Sequence, residues 1–345
     1  MYNKLLTISV AAFNVERTLD NTLASLAIGE PYLDKLEVII VNDGSTDGSE
    51  NIARRYVARY PDSFRLISKN NEGYGSTLTS SLKEAQGMYF KVVDGGDEVD
   101  TEGLRSLLRF IEDRHPGKTA DLILSPFLLH DERNAAIKCV DIHECLSAEA
   151  VPFENSGLRR GVAIFEMCMR TELLRQRHGE FLTRSFYTDN ELTMAAMLYS
   201  KTVSAFKKPV TIYKTKVPGQ SMSVDGLQKH YLDTFKVSLN IFDMYASYIR
   251  KSESPLLTGS RKSAVEDLLA VLARLTYISA MIRNNPLQYR TLLASYDEKI
   301  KSFDAGLYEI TDHSKIVRLA RRSGNAFYRL MCVWIKFSET HRLQW

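Results

Sequence analysis

The chain is poor in cysteine: Cys139, Cys145, Cys168 and Cys332 are the whole complement, and no two form a CxxC pair. That spacing argues against a zinc framework and fits reduced thiols in a reducing compartment. It also lacks charge of one sign. Forty-five Lys+Arg against 42 Asp+Glu leave a formal +3, too little to argue by itself for a nucleic-acid partner. Long apolar runs are missing as well, and no window is long and uncharged enough to cross a bilayer. Met1 to Val10 passes directly into a strand-like run, without the apolar stretch and small-residue cleavage site of a signal peptide. The expectation is a cytoplasmic protein. No repeat of about 20–50 residues is present, which argues against a solenoid, and there is no low-complexity tract. What remains, 44% hydrophobic and 25% charged, is the composition of an ordinary globular chain with a sizeable core.

Strand and helix patterns alternate over residues 1 to about 130. Strands are expected at Leu5–Ala12, Leu36–Val41, Phe64–Ser68, Met88–Val93 and Asp121–Ser125. Helices are expected at Glu16–Leu26, Gly48–Tyr60, Ser76–Ala85, with Gly87 as its C-cap, and Thr101–Asp113. This order implies an α/β fold with a mainly parallel sheet and helices on both faces. The pattern weakens from about 130 to 185, where Asp131–His143 reads as a hairpin. Thr188–Leu198 reads as a helix, and Val203–Ala205 and Val210–Tyr213 as short strands. Beyond about residue 225 the periodicity is helical almost throughout, clearest at Val265–Ile282. The expected division is a catalytic part, 1–222, and a helical region, 223–345.

Five segments carry candidate chemistry. Val38-Ile39-Ile40-Val41-Asn42-Asp43-Gly44-Ser45 is an apolar run that stops at an acid and a glycine. Asp43 there is either a helix cap or an acceptor for a base or ribose. Asn71-Glu72-Gly73-Tyr74-Gly75-Ser76 is a glycine-rich turn before a helix, which allows backbone to approach a phosphate. A dinucleotide fingerprint would need glycine where Leu78 stands, so a dehydrogenase is not indicated. Asp94-Gly95-Gly96-Asp97 is either a solvated acidic turn or a site for a hard cation such as Mg²⁺ or Mn²⁺. Asp189, at the head of a helix, is either a cap with a depressed pKa or a general base. The stretch Tyr213 to Ser223, with Lys214, Lys216, Gly219, Gln220 and Ser221, could close over phosphates.

In this order the segments resemble the family 2 glycosyltransferases with the GT-A (Rossmann-like) fold, closest to bacterial enzymes of capsular and cell-wall polysaccharide synthesis. The resemblance covers residues 5 to 223. It rests on Ser9-Val10-Ala11-Ala12-Phe13-Asn14-Val15-Glu16, Asp43-Gly44-Ser45-Thr46-Asp47, Asn71-Glu72-Gly73, Asp94-Gly95-Gly96-Asp97, Thr188-Asp189 and Gly219-Gln220-Ser221-Met222-Ser223. It implies an inverting transfer from a nucleotide-sugar, a UDP-sugar, to a hydroxyl of a glycan or lipid-linked glycan. Ala12, Phe13, Asn14, Glu16, Asp43, Gly44, Asn71, Gly73, Asp94, Gly95, Gln220 and Ser221 would hold the donor, and Asp189 would be the base. The family motif reads Asp-x-Asp-Asp and takes its metal ligand from the third position, which here is Gly96. The implied Mn²⁺ or Mg²⁺ would then fall to Asp97 by a shift of the turn, with Glu98 as a further carboxylate in reach.

The departure at Gly96 keeps a second reading open: a weakened relative acting as a sugar-nucleotide- or glycan-binding subunit of an assembly complex. A nucleotidyltransferase would need a basic glycine-rich loop after the first strand, and Ala11-Ala12-Phe13-Asn14 is not one. Ser314 to Ser338 holds Lys315, Arg318, Arg321, Arg322, Arg329 and Lys336 among apolar neighbours, with no acid. Such a segment either packs on the rest of the protein or lies on an anionic membrane surface, on the inner face. Nucleic acid is not an expected partner. His230 reads as a surface helical histidine or as a metal ligand, and Lys207-Lys208 as a solvated turn.

Overall fold

The computed structural model describes residues 3–115, 117–141, 145–177, 179–217, 220–251, 257–282 and 286–323. The chain divides into two compact units. The first takes in residues 1–158, 162–217 and 259–261, and the second 159–161, 218–258 and 262–345.

The first unit opens with β1 (Lys4–Ala12), α1 (Leu19–Leu26), β2 (Leu36–Asp43), α2 (Ser49–Arg59), β3 (Phe64–Lys69), α3 (Tyr74–Glu84) and β4 (Gly87–Asp94). It continues with β5 (Glu98–Val99), α4 (Thr101–Arg114), β6 (Leu122–Leu124), β7 (Phe127–Asp131), β8 (Ala136–Val140) and β9 (Val151–Pro152). Then come β10 (Met167–Arg170), α5 (Thr171–Arg175), α6 (Asp189–Tyr199), β11 (Thr202–Ala205) and β12 (Thr211–Thr215). All eight residues of β2 are buried, as a strand flanked by neighbours and covered on both faces requires. On α4, Leu104, Leu107, Leu108 and Ile111 form the buried stripe of an amphipathic helix. Its N-terminus is closed by Asp100, whose Oδ1 accepts from the Gly103 N–H at 2.6 Å.

Eight strands form one sheet in the order β3-β2-β1-β4-β10-β6-β11-β9. The pairs β3–β2, β2–β1, β1–β4 and β6–β11 are parallel. The chain builds outward from β1 to β3, then returns to the other side of β1 with β4. The strand order therefore reverses at the carboxyl ends of β1 and β4, where open α/β sheets bind ligands. A second sheet, β5-β12-β7-β8, contains a hairpin of β7 and β8 that starts earlier than the expected Asp131–His143, whose last residues, 142–143, lie outside the described residues. Phe165 stacks on Tyr213 of β12 at 4.8 Å and packs against Phe127 of β7 at 4.5 Å. Gly87 does not cap α3, contrary to expectation. It opens β4, and its N–H donates to Thr7 Oγ1 at 2.8 Å. Strand β10, unforeseen, lies antiparallel between β4 and β6. Beside it the buried Lys91 ammonium donates to the Phe165 carbonyl at 2.7 Å, and burial pushes its pKa down to about 8.

The second unit is helical: α7 (Val224–Lys229), α8 (Tyr231–Arg250), α9 (Gly259–Ile282), α10 (Pro286–Phe303), α11 (Ala305–Thr311) and α12 (Lys315–Ser323). No described helix is long and apolar enough to cross a membrane. Arg321 ties α12 down. It pairs with Asp297 at 2.6 Å and Asp312 at 2.8 Å and lies over the Tyr308 ring at 3.8 Å. Lys315, Leu319 and Arg322 are left exposed along the same helix. The rest of the basic stretch, from residue 324, lies outside the described residues.

Candidate active site

Strands β1, β2 and β4 end side by side, with Ala11 opposite Asp94 and Ala12 opposite Asn42. Beyond the buried Ala12, Phe13 is 49% exposed. Asn14 takes a left-handed backbone with φ 53°. Its N–H donates to Ser45 Oγ at 3.0 Å, and its Oδ1 accepts from the Thr46 N–H at 2.8 Å. Glu16 Oε2 accepts from the Gly48 N–H at 2.7 Å. Asn14 and Glu16, both expected at the donor, thus stitch the turn after β1 to the loop after β2.

Asp43, at the end of β2, is buried and does not cap a helix. Its Oδ1 accepts from Lys69 Nζ at 2.8 Å and from the Glu72 N–H at 3.1 Å, and its Oδ2 from the Gly73 N–H at 2.8 Å. Gly44 follows it, and Asn71 lies in the turn that Asp43 holds. The glycines of that turn have a use the sequence did not show. Gly73 has φ 86°, and a side chain there would meet the backbone nitrogen of Arg184 at 2.8 Å. At Gly75 a Cβ would fall 2.1 Å from the Leu182 carbonyl oxygen. What approaches these glycines is protein backbone, the segment 181–185, anchored by an Arg184 N–H to Glu72 carbonyl hydrogen bond of 2.6 Å.

That segment leads to Asp189 and is clasped at its start. Arg177, with 5% of its side chain exposed, pairs at 2.6 Å with Glu191, whose side chain is fully buried. The same guanidinium lies 3.9 Å from the Phe181 ring centre and donates to the Gly179 carbonyl at 2.9 Å. Arg184 and Tyr187 both have positive φ, 51° and 67°, so the loop carries backbone strain directly before Asp189.

Asp189 is the first residue of α6. A helix start normally lowers a carboxyl pKa. Here burial, reinforced by the charge of Asp94, pushes it up to about 7, against the opposing N–H groups of Asp189 and Asn190. Asp94 is itself raised by burial, although the Tyr74 hydroxyl donates to its Oδ1 at 2.7 Å. Asp97 is raised well above its ordinary value by burial and by Asp94. Burial raises the Tyr74 and Tyr213 hydroxyls, and the charges of Asp94, Asp97 and Asp189 add to it at both. The structure therefore gathers Asp94, Asp97 and Asp189 into one electrostatic cluster with two tyrosines. The sequence reading missed Tyr74, Arg177 and Glu191. Tyr74 sat between two glycines and Glu191 in the first turn of a helix, and neither position advertises a partner.

The turn after β4 is the candidate cation site. Gly95 donates its N–H to the Ala11 carbonyl at 3.1 Å, and Gly96 brings no ligand. Asp97 Oδ1 accepts from the Lys214 N–H at 2.9 Å, and its own carbonyl is taken by Thr22 Oγ1 at 2.7 Å. Glu98 pairs with Lys214 Nζ at 2.5 Å. No cluster of three or more His, Cys, Asp or Glu suited to a metal is present among the described residues. These residues do not fit the cation implied by the resemblance: Asp97 faces β12, and Glu98 is neutralised.

Gln220 and Ser221 belong to the second unit, where Ser223 Oγ donates to the Gln220 carbonyl at 2.7 Å. Pro218 and Gly219 lie outside the described residues. His230 pairs with Asp233 of α8, 3.4 Å away.

Residues 7–122 match the family model described as Glycosyl transferase family 2. EpsH of Bacillus subtilis is 23% identical over 261 residues, 73% of this chain and 71% of EpsH. Poly(ribitol-phosphate) beta-N-acetylglucosaminyltransferase TarS of Staphylococcus aureus is 24% identical over 221 residues, 63% of this chain. The chain spans only 36% of TarS. The crystal structure of S. aureus TarS 1–349 in complex with UDP-GlcNAc shares the fold, with a TM-score of 0.53 and 16% identity over 92% of each chain. So does mannosyltransferase PcManGT of Pyrobaculum calidifontis, in complex with GDP-Man and Mn²⁺. Its TM-score is 0.50, with 16% identity over 97% of this chain and 89% of that one.

Proposed function

The chain is a glycosyltransferase with a family 2 domain over residues 7–122 on a GT-A fold, and from that premise we propose that it moves a sugar from a UDP-sugar to an acceptor hydroxyl with inversion, in surface polysaccharide synthesis. The observation that carries this reading is Asp189: a half-buried carboxyl whose pKa desolvation and the charge of Asp94 push up to about 7. A base poised near neutral pH is suited to taking a proton from an alcohol during attack. The acceptor oxygen bonds to the anomeric carbon as the bond to the nucleoside diphosphate breaks, and the proton passes to the Asp189 carboxylate. One displacement with one base inverts the configuration. Asp43 and the turn it holds frame the nucleotide side of the cleft. The acceptor is a glycan or lipid-linked glycan, in keeping with the poly(ribitol-phosphate) polymer for which TarS is named.

The test is the melting temperature of the purified protein with UDP, GDP, dTDP and CMP. A ligand of the folded state alone must raise it. UDP is expected to give the largest rise; a larger rise with GDP, dTDP or CMP overturns the donor, and no rise with any of them overturns the transferase reading. Gly96 supports a second reading, a nucleotide- or glycan-binding subunit, which would show the same rise with UDP but no sugar transfer.

Lys315 and Arg322 flank the exposed Leu319 on α12, an arrangement suited to docking on an anionic bilayer beside a lipid-linked acceptor. The protein is expected to co-sediment with vesicles containing anionic phospholipid at low salt and to be released at high salt. Equal recovery with neutral vesicles would remove the electrostatic part of this reading.

A further inference from the structure

If the site takes a nucleoside diphosphate, as the transferase reading has it, something must meet the diphosphate charge. The usual device is Mg²⁺ or Mn²⁺ held by one or two carboxylates and the phosphates. The acids after β4 are committed elsewhere. The Asp97 carboxylate is directed at the backbone of Lys214, and Glu98 at its ammonium. Asp94 Oδ1 receives the Tyr74 hydroxyl. Among the described residues Asp94 is the one acid of the turn not turned towards Lys214, since Asp97 Oδ1 and Glu98 Oε1 both are. Gly96 stands between Asp94 and Asp97, and there the structure is permissive. A Cβ at Gly96 would meet nothing within 4 Å, and its φ is not in the left-handed region. The missing carboxylate is a matter of side-chain identity, and the backbone has room for one.

We propose that this site binds its nucleotide diphosphate without help from a divalent cation, and that Gly96 is the single position responsible. The neighbouring acids do not stand in for the absent ligand, because moving Asp97 outward would strip the Lys214 N–H of its partner in a buried place. A Cβ at Gly96 meets nothing within 4 Å, so a carboxylate added there has room to offer a cation the ligand that the turn lacks.

Titration calorimetry with UDP, in EDTA and then in excess Mn²⁺, tests this on the wild type, Gly96→Asp and Gly96→Ala. For the wild type and Gly96→Ala the two Kd values are expected to agree within about threefold. For Gly96→Asp, Mn²⁺ should tighten UDP by about tenfold or more. A wild-type Kd that improves tenfold with Mn²⁺ overturns the proposal. A Gly96→Asp protein that stays indifferent to Mn²⁺, while melting like the wild type, overturns the assignment to Gly96. Failure of UDP to bind in either buffer is a different result: it removes the UDP-transferase reading on which the proposal stands.

Discussion

Replacing Asp189 with asparagine is expected to lower kcat about 10³-fold, leave nucleotide affinity nearly unchanged, and raise stability at pH 8. The last outcome separates a base from a helix cap. In the native protein Asp189 keeps its proton up to about pH 7, whereas an ordinary aspartate loses it near 3.8. Between these values the native state binds more protons than the unfolded chain, so stability falls as pH rises from about 4 to 7 and stays lowered above it. The full shift corresponds to up to about 4 kcal/mol. Asparagine cannot ionise and escapes that cost, so Asp189→Asn should melt about 5 °C above the wild type at pH 8 and close to it at pH 4. Wild-type kcat/KM should rise with pH through about 7 as the base form appears. Full activity in Asp189→Asn would take the residue out of the chemistry. A variant that is inactive and melts lower at pH 8 would make it a structural cap.

Several elements could be read from the chain because their causes are local. The run Leu36 to Val41 has no polar break except Glu37, so a buried strand was the only economical reading, and the structure extends it to Asp43. Asp189 was found at the start of α6 because a helix pattern begins there. Its raised pKa was not foreseeable, because burial and the charge of Asp94 come from segments distant in sequence. Strand β10 is only four residues long, Met167–Arg170, too short to show a period, and it is fixed by pairing with β4 and β6. Asp97 is read from the sequence as a cation ligand because two carboxylates flank a Gly-Gly step whose turn could shift. Its partner, the Lys214 N–H, is 117 positions away, and no local pattern announces such a bond.

The glycine turn shows the same limit and gives the second large prediction. Gly73 and Gly75 promised close approach of some backbone or phosphate, and sequence alone favoured phosphate. The approaching group is the segment 181–185. At Gly75 a Cβ would lie 2.1 Å from the Leu182 carbonyl oxygen, 3.0 Å from its carbon and 3.1 Å from Phe181 Cβ. Neither backbone nor a clasped side chain gives way cheaply: Phe181 lies under the Arg177 guanidinium, which is held by Glu191. In Gly75→Ala the loop must therefore lift away from the turn, strain the 2.6 Å Arg184–Glu72 bond and displace the chain leading into Asp189. Overpacking of this kind costs about 1–3 kcal/mol, and a base moved by about 1 Å loses about 10²-fold in rate. Gly75→Ala is thus expected to lower the melting temperature by several degrees and to cut kcat about 100-fold. Gly96→Ala, whose Cβ meets nothing within 4 Å, should melt as the wild type does. Melting curves and steady-state kinetics decide the matter. If Gly75→Ala is as stable and as active as the wild type, the loop is not seated on the turn, and the link between the turn that Asp43 holds and Asp189 fails with it.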